Sequence, residues 1–365
     1  MEHFAGLDVG VKETSVCVVD KDGTILLEAS VPTDPDILAA TLKPWRRSLR
    51  RVGHEAGSLS PWLQRELEAR GVPAACLDAF AARDAMKAQR NKTDRHDARA
   101  IAHLMRTGWF RKVHVKSEAS YRLRFLLSQR ETMVRKRVDV ENSIRQSLKI
   151  FGLRMGVCNK HGFGARAREL VGDDAVLSGL VEAMLRVRTV LVEEIARLHK
   201  LVIGVVARDE LCRRFLRIPG VGPIAALSFK TAIDDPARFA NAKLVGAYFG
   251  LTPKRWQSGK TDRQGAISKM GDQAVRRALY EAGHILLTKY RGKAAIKIWG
   301  EKLMKTKGHH KAAIAVARRL AMAMWAMWCD GTEFELVPGA PMPEREAERK
   351  AQKQLGATNA KLIPA

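Results

Sequence analysis

Between Ser120 and Gly152 the chain contains neither proline nor glycine, while apolar residues recur at helical spacing through Leu123, Leu126, Leu127, Val134, Val138, Ile144 and Leu148. Nothing in that stretch breaks a backbone, so it predicts one helix of about eight turns. A glycine-rich loop follows (Gly152, Gly156, Gly162, Gly164), then a second long helical stretch from about Asp174 to Val206 with Leu180, Leu185, Leu191, Ile195, Leu198 and Val202. Each helix needs a cover for its apolar face, and the nearest is the other helix. An antiparallel hairpin or coiled-coil arm is expected, although the apolar period is imperfect. The arm divides the chain into 1–116, 117–205 (the arm), 206–331 and a Pro-rich, mixed-charge tail, 332–365, expected to be mobile.

Ahead of the arm, Phe4 to Gly10, Ser15 to Asp20 and Thr24 to Glu28 read as three strands, the last two joined by the turn Lys21-Asp22-Gly23. A strand at Arg51 to Glu55, a helix from about Ser60 to Arg70 with Ser60-Pro61 at its start, and a buried strand at Ala74 to Leu77 follow. The Ala-rich run from Phe80 reads as helical, with a further helix from near Thr93 to Met105. This is a mixed α/β domain.

Charge is unevenly placed. The 365 residues carry 64 Lys plus Arg and 39 Asp plus Glu, a formal net charge of +25. Residues 206–331 hold 24 basic and 9 acidic side chains, whereas residues 1–116 hold 19 and 15. A field of that sign draws polyanions and predicts salt-sensitive binding of nucleic acid. No signal peptide is read at the start, and the apolar run Ala312 to Trp328 is interrupted by Arg318 and Arg319, so no membrane association is expected. Five scattered cysteines without a C-x-x-C pair argue against a zinc site or a disulfide framework and for a reducing cytoplasm.

The acids carry the chemistry. Asp8 lies inside an apolar strand, where an ionised carboxylate is costly without a partner, and a metal is the natural one. Glu55 ends a later strand in His54-Glu55-Ala56-Gly57. Asp94 and Asp97 stand three apart, on one face of a helix. This helical pair has a plainer reading: Thr93 or Asp94 as helix cap, Asp97 as a first-turn acid. Together they can serve as hard oxygen ligands for two Mg²⁺ ions that clamp a phosphodiester, with Mn²⁺ as a substitute. In the basic block, Ile218-Pro219-Gly220-Val221-Gly222 between two helices is either a phosphate-binding helix-hairpin-helix turn, with Gly220 and Gly222 at the backbone, or a simple αα-turn. Residues 252–277 read as a basic, turn-rich stretch, followed by helices from Gln273 to Leu287 and His310 to Trp328.

These motifs, in this order, resemble the DEDD transposases of insertion sequences, also called bridge-RNA-guided recombinases. The resemblance rests on Gly6-Leu7-Asp8-Val9-Gly10, His54-Glu55-Ala56-Gly57, Lys92-Thr93-Asp94-Arg95-His96-Asp97-Ala98, Ile218-Pro219-Gly220-Val221-Gly222, and Tyr248-Phe249-Gly250-Leu251-Thr252-Pro253 leading to Gln257-Ser258-Gly259-Lys260. Arg50-Arg51-Val52-Gly53-His54 is less apolar than the family's strand before its glutamate. The resemblance implies a ribonuclease H-like (RuvC-like) domain with Asp8, Glu55, Asp94 and Asp97 as acidic tetrad, a coiled-coil middle, and a mainly helical C-terminal transposase domain with Ser258 as nucleophile. It further implies a covalent serine–DNA intermediate, double-stranded donor and target DNA, a structured noncoding guide RNA, a homodimer assembling to a homotetramer, and work at the nucleoid.

Beside that serine, Gly259 would leave room for a phosphate, and Lys254, Arg255, Lys260 and Arg263 would neutralise it, with Trp256 stacking on a base or merely packing. Without the resemblance, a serine in a Gly-Lys loop is a turn former. Two other readings remain open: a RuvC-like nuclease that hydrolyses junctions and has no use for Ser258, and a non-catalytic nucleic-acid-binding protein. A sugar kinase begins similarly, but no second Gly-rich phosphate loop is evident.

Overall fold

The computed structural model describes residues 1–79, 93–259 and 261–336. Packing separates two units, Met1–Ser117 and the chain from Glu118 onward.

In the first unit, β1 (His3–Val9), β2 (Glu13–Asp20) and β3 (Ile25–Pro32) form an antiparallel meander, and β4 (Leu49–Glu55) and β5 (Ala74–Leu77) extend it in parallel. The order across the sheet is β3-β2-β1-β4-β5. Alternation decides which residues face which layer. Ala5, Leu7, Val16, Val18 and Val52 pack on one face against Leu38 and Leu42 of α1 (Pro35–Leu42) and Leu63 and Leu67 of α2 (Ser60–Ala69). Phe4, Cys17 and Val19 pack on the other against Ala98, Ile101, Ala102 and Met105 of α3 (Asp94–Thr107). Helix α1, unmarked in the sequence reading, is capped by Asp34, whose carboxylate accepts from the amides of Asp36 and Ile37, with Pro35 in its first turn. The helical run expected from Phe80 lies, up to Lys92, outside the described residues.

The second unit opens with α4 (Glu118–Ile150), α5 (Phe163–Val171) and α6 (Ala175–Arg208). Helices α4 and α6 run antiparallel. Arg130 of α4 sits beside His199 of α6, Glu141 accepts from Arg188 at 2.8 Å, and Ile144 and Leu148 share a core with Val181 and Leu185. Burial, reinforced by the charge of Arg130, pushes the His199 imidazole down to about 4. The division expected after residue 205 is not a packing boundary. Val202 and Val206 of α6 lie in the same core as α7 (Glu210–Leu216), α8 (Pro223–Ile233), α10 (Gln273–Thr288) and α12 (His309–Asp330), so the helix pair and the C-terminal helices are one unit.

Three further departures have local causes. Residues 253–267, expected as a loop, form a hairpin of β6 (Pro253–Ser258) and β7 (Thr261–Ile267). All of its described residues except Ile267 are exposed, so no apolar alternation announced it. Helices α9 (Ala242–Tyr248) and α11 (Ala295–Lys307) were unmarked. The packed structure also continues past residue 331: Phe334 is buried, Glu333 pairs with Arg217 at 2.7 Å and the Ala295 amide donates to the Leu336 carbonyl. Residues 337–365 of the expected mobile tail lie outside the described residues. Helix α12 is long and apolar enough to cross a membrane, but Ala312, Val316, Leu320, Met324 and Met327 are core residues and Arg319 lies 3.7 Å above the Trp299 ring. All five cysteines are free thiols.

The tightest contact in the first unit is at Gly6, where any Cβ would collide with the backbone of α3 at Ala98 and Ala102. Gly6→Ala is therefore expected to destabilise this unit by about 2 kcal/mol, read as a lowered denaturant midpoint; an unchanged midpoint would contradict the contact.

Candidate active site

The acidic site follows from one pair of glycines. Gly6 of β1 and Gly53 of β4 are partners in register on adjacent parallel strands. Two residues further along each strand, on the same face, come Asp8 and Glu55, next in register after the pair Leu7 and His54. Their backbones are thus about one strand spacing apart, roughly 4.8 Å, and both residues are half-buried. The third and fourth acids come from α3. Its Ala98 carbonyl lies over Gly6, while His103 and Arg106 flank Gly23 at the turn beyond the opposite end of β2. Helix α3 therefore runs antiparallel to β1, and its first turn, with Asp94 exposed and Asp97 half-buried, lies toward the Asp8 and Glu55 end. Thr93, not Asp94, is the cap: its hydroxyl accepts from the His96 amide at 3.2 Å.

Carboxylates on one face, at one end of the sheet, are hard oxygen donors of the kind Mg²⁺ and Mn²⁺ take, so the set fits a divalent ion in donor chemistry. Among the described residues, no three His, Cys, Asp or Glu side chains are gathered closely enough to ligate one. The backbone places Asp8 and Glu55 side by side and brings the α3 acids to the same end.

Ser258 lies in the second unit, exposed at the tip of the β6–β7 hairpin and paired across it with Thr261. Gly259 takes φ 53°, which suits a two-residue hairpin turn, and among the described residues no neighbour stands where its Cβ would be. Lys260 lies outside the described residues. Two side chains of this hairpin make contacts within it. Arg255 donates through both nitrogens of its fork to Asp262, at 2.8 and 2.6 Å, so its charge is already partnered. The Trp256 indole covers Gly265 on the facing strand, yet the residue remains 57 % exposed. It packs and still presents a face. Lys254 and Arg263 are exposed. The hairpin's base is fixed by two backbone crossings: Gly250 (φ 64°) lies against Met270, and Gly271 (φ 71°) against Tyr248, where a Cβ would collide with main chain.

At the Pro-Gly-Val-Gly turn the two glycines do different things. Gly220 (φ 90°) is pressed on the backbone of α10 at Ala282, so helix packing accounts for its missing side chain. Gly222 is the N-cap of α8, makes no side-chain cap, and has open space at its Cβ position.

Comparison with known proteins converges on one identity. A transposase family model, DEDD_Tnp_IS110, matches residues 5–152, and a second, transposase IS116/IS110/IS902 family, matches residues 212–297. The transposase for insertion sequence element IS1111A of Coxiella burnetii is 28 % identical over 332 residues, 88 % of either chain. The chain belongs to the DEDD transposase family of insertion sequences. The transposase for element IS1328 of Yersinia enterocolitica is 26 % identical over 67 % of this chain and 74 % of its own, and a pilin gene-inverting protein of Moraxella bovis is 29 % identical over 32 % and 37 %. The transposase is thus a DNA-processing enzyme of a mobile element, its mixed α/β sheet fits a ribonuclease H-like domain, and its family implies a divalent-metal cofactor.

Several residues that position the acids in this transposase escaped the sequence reading. His54, fully buried, bonds Gln64 through Nε2 at 2.8 Å, and burial holds its imidazole below the usual range and so uncharged. Gln64 in turn donates to the Ala74 carbonyl at 2.9 Å, tying α2 to β4 and β5 beside Glu55. Ser60, expected as the α2 cap, sits inside the helix and instead donates to the Glu55 carbonyl at 2.6 Å and accepts from the Gly57 amide at 2.7 Å. On the other face, Glu28 of β3 binds the guanidinium forks of Arg95 and Arg99, which flank Asp97 on α3. Hydrogen bonds from Arg95, with those from Arg99, hold the Glu28 carboxyl below the usual glutamate range.

A carboxylate with a lowered pKa contributes stability above its ordinary pKa and loses it as pH falls through the folded value. Glu28→Gln should therefore lower the melting temperature near pH 7, with the difference from wild type shrinking toward pH 3; an equal difference at both would contradict the ion pair's role.

Proposed function

We propose that this transposase cuts and rejoins DNA strands through a covalent Ser258 intermediate, with Asp8, Glu55, Asp94 and Asp97 as its acidic site. The observation that carries this reading is the in-register placement of Asp8 and Glu55 at the ends of neighbouring parallel strands, with the first turn of α3 at the same end. A divalent ion held by these four acids, Mg²⁺ or Mn²⁺, would supply Lewis-acid stabilisation of negative charge on the phosphate.

The chain's own part is nucleophilic. The Ser258 oxygen forms a bond to phosphorus as one phosphodiester P–O bond breaks; the serine proton passes to solvent, and the leaving strand departs as an alcohol after protonation. Attack by a hydroxyl of another strand reverses the sequence, frees the serine, and leaves the number of phosphodiester bonds unchanged. Exposure of Ser258 at a hairpin tip, with Gly259 unobstructed beside it and Lys254 and Arg263 on the same hairpin, supports access by a phosphate backbone. Ser258 and the acids belong to different units of the chain, which accords with a composite site, in a homodimer or homotetramer, built from the acids of one copy and the serine of another. The basic excess in residues 206–331 supports binding of donor and target DNA and of a structured guide RNA, and the work would be done at the nucleoid.

The test is strand transfer with element-end DNA, RNA transcribed from the flanks, and Mg²⁺, followed by trapping of protein–DNA adducts. Ser258→Ala should abolish the adduct and slow strand transfer by at least about 10³-fold, and Asp8→Asn should slow it comparably. Cutting at normal rates by Ser258→Ala would favour a hydrolytic nuclease. Recombination that survives both Asp8→Asn and Asp97→Asn would make the acids structural.

A further inference from the structure

The β6–β7 hairpin has two unlike faces, and its register separates them. Cross-strand partners share a face, and residues two apart on one strand return to it. The pairs Trp256–Arg263 and Ser258–Thr261 therefore lie on one side, and the pairs Arg255–Gln264 and Gln257–Asp262 on the other. Two contacts agree with this division. Arg255 and Asp262 meet in their ion pair on the second face, which so cancels its own charge. Trp256 reaches diagonally to Gly265, where a Cβ would come within 2.4 Å of the indole's six-membered ring. Gly265 does not take a left-handed conformation that would call for glycine, so the ring accounts for its missing side chain. The serine's own face thus carries a seated but 57 % exposed tryptophan with an exposed arginine directly opposite, and its paired residues include no carboxylate.

We propose that Trp256 stacks on the nucleobase next to the phosphate that Ser258 attacks, and so holds the base step open at the cut. This rests on Ser258 being the nucleophile. Spacing selects the adjoining base. Two residues along a strand span about 6.8 Å, twice the rise of about 3.4 Å per nucleotide in a stacked strand. That is the separation of neighbouring bases with one aromatic ring inserted between them. A phosphate at the Ser258 oxygen therefore sets the adjoining base level with the indole. Arg263, one interstrand step of about 4.8 Å from Trp256, then meets the flanking phosphate. The chemistry agrees: an indole offers any base a flat surface without requiring a particular hydrogen-bonding edge. Gly265 seats the ring, and the backbone crossings at Gly250 and Gly271 hold the hairpin beneath it, so little freedom is lost on stacking. Trp256 touches the substrate but no reacting atom, and its role is to position the strand.

The full-length protein with element-end DNA, RNA transcribed from the flanks and Mg²⁺ tests this, once the cut phosphate has been located from the ends of the cleaved strand. 5-Iododeoxyuridine is placed on each side of that phosphate in turn, and light-induced cross-links are mapped to residues by mass spectrometry. One of the two positions should cross-link to Trp256, in the wild type and in Ser258→Ala alike, because stacking needs no chemistry. Trp256→Phe should keep the cross-link and strand transfer within about threefold of wild type, whereas Trp256→Ala should lose the cross-link and slow strand transfer at least about tenfold. Circular dichroism should be unchanged in both. No cross-link to Trp256 from either position, wild-type strand transfer by Trp256→Ala, or a Trp256→Phe protein as slow as Trp256→Ala would each overturn the proposal. An adduct that survives in Ser258→Ala would instead sink the serine reading on which the proposal stands. An adduct lost there, with Trp256 not cross-linked, would sink the proposal alone.

Discussion

The contact between the backbone of α3 and the glycine at position 6 of β1 is the constraint on which the acidic site depends. Because residue 6 lacks a side chain, the helix sits directly on the central strand. That closeness fixes the helix's height and direction over the sheet, and so where its first turn falls. Gly53, its register partner on β4, admits the side chains of Ile101 and Met105 in the same way. The acids then come two residues past each glycine and at the near end of the helix. Glu28, gripping Arg95 and Arg99, holds α3 laterally, and the His54–Gln64 bond ties β4 to α2 from below. Small residues thus set the spacing, and polar side chains on both faces of the sheet lock it.

The second unit solves a different problem. Its long helices must bury one face each without a sheet between them, and α4 and α6 do so against each other, with the buried Glu141–Arg188 pair inside the seam. Replacing one member of such a pair is far more damaging than its net stabilisation implies, because the other charge is left buried. The same α6 runs on into the C-terminal core, so the helix pair and the helices that carry the β6–β7 hairpin form one body. A serine on an exposed hairpin gains its direction from the base of that hairpin, where Gly250 and Gly271 let two backbone segments cross.

What could be read in advance depended on period and on chemistry. The strands β1, β2 and β5, the helix α2 and the long helices α4 and α6 were legible because their apolar residues repeat or their breakers stand at their ends. The four acids were legible as residue types in odd places, above all a carboxylate inside an apolar strand. The hairpin β6–β7 was not: strands with almost every residue in solvent carry no alternation, and only backbone pairing makes them strands. Glu28, Arg95 and Arg99 were not legible either, since a glutamate on an edge strand and two arginines on a helix reveal nothing until the register brings Glu28 level with Cys17 and Gly6.

The sequence by itself determined the strands of the sheet, the long helices, the family, the candidate acids and serine, and the segregation of positive charge into residues 206–331, because each of these is a property of residue type and spacing. Tertiary structure decided which glycine does what. Gly220 and Gly222 stand in one motif, yet one is spent on α10 and the other is open, because only the first meets a neighbouring backbone. It decided too that Arg255 is partnered and that Ser60 braces the strand end rather than capping a helix, because hydrogen-bond partners are chosen by proximity in space, which spacing along a chain does not record.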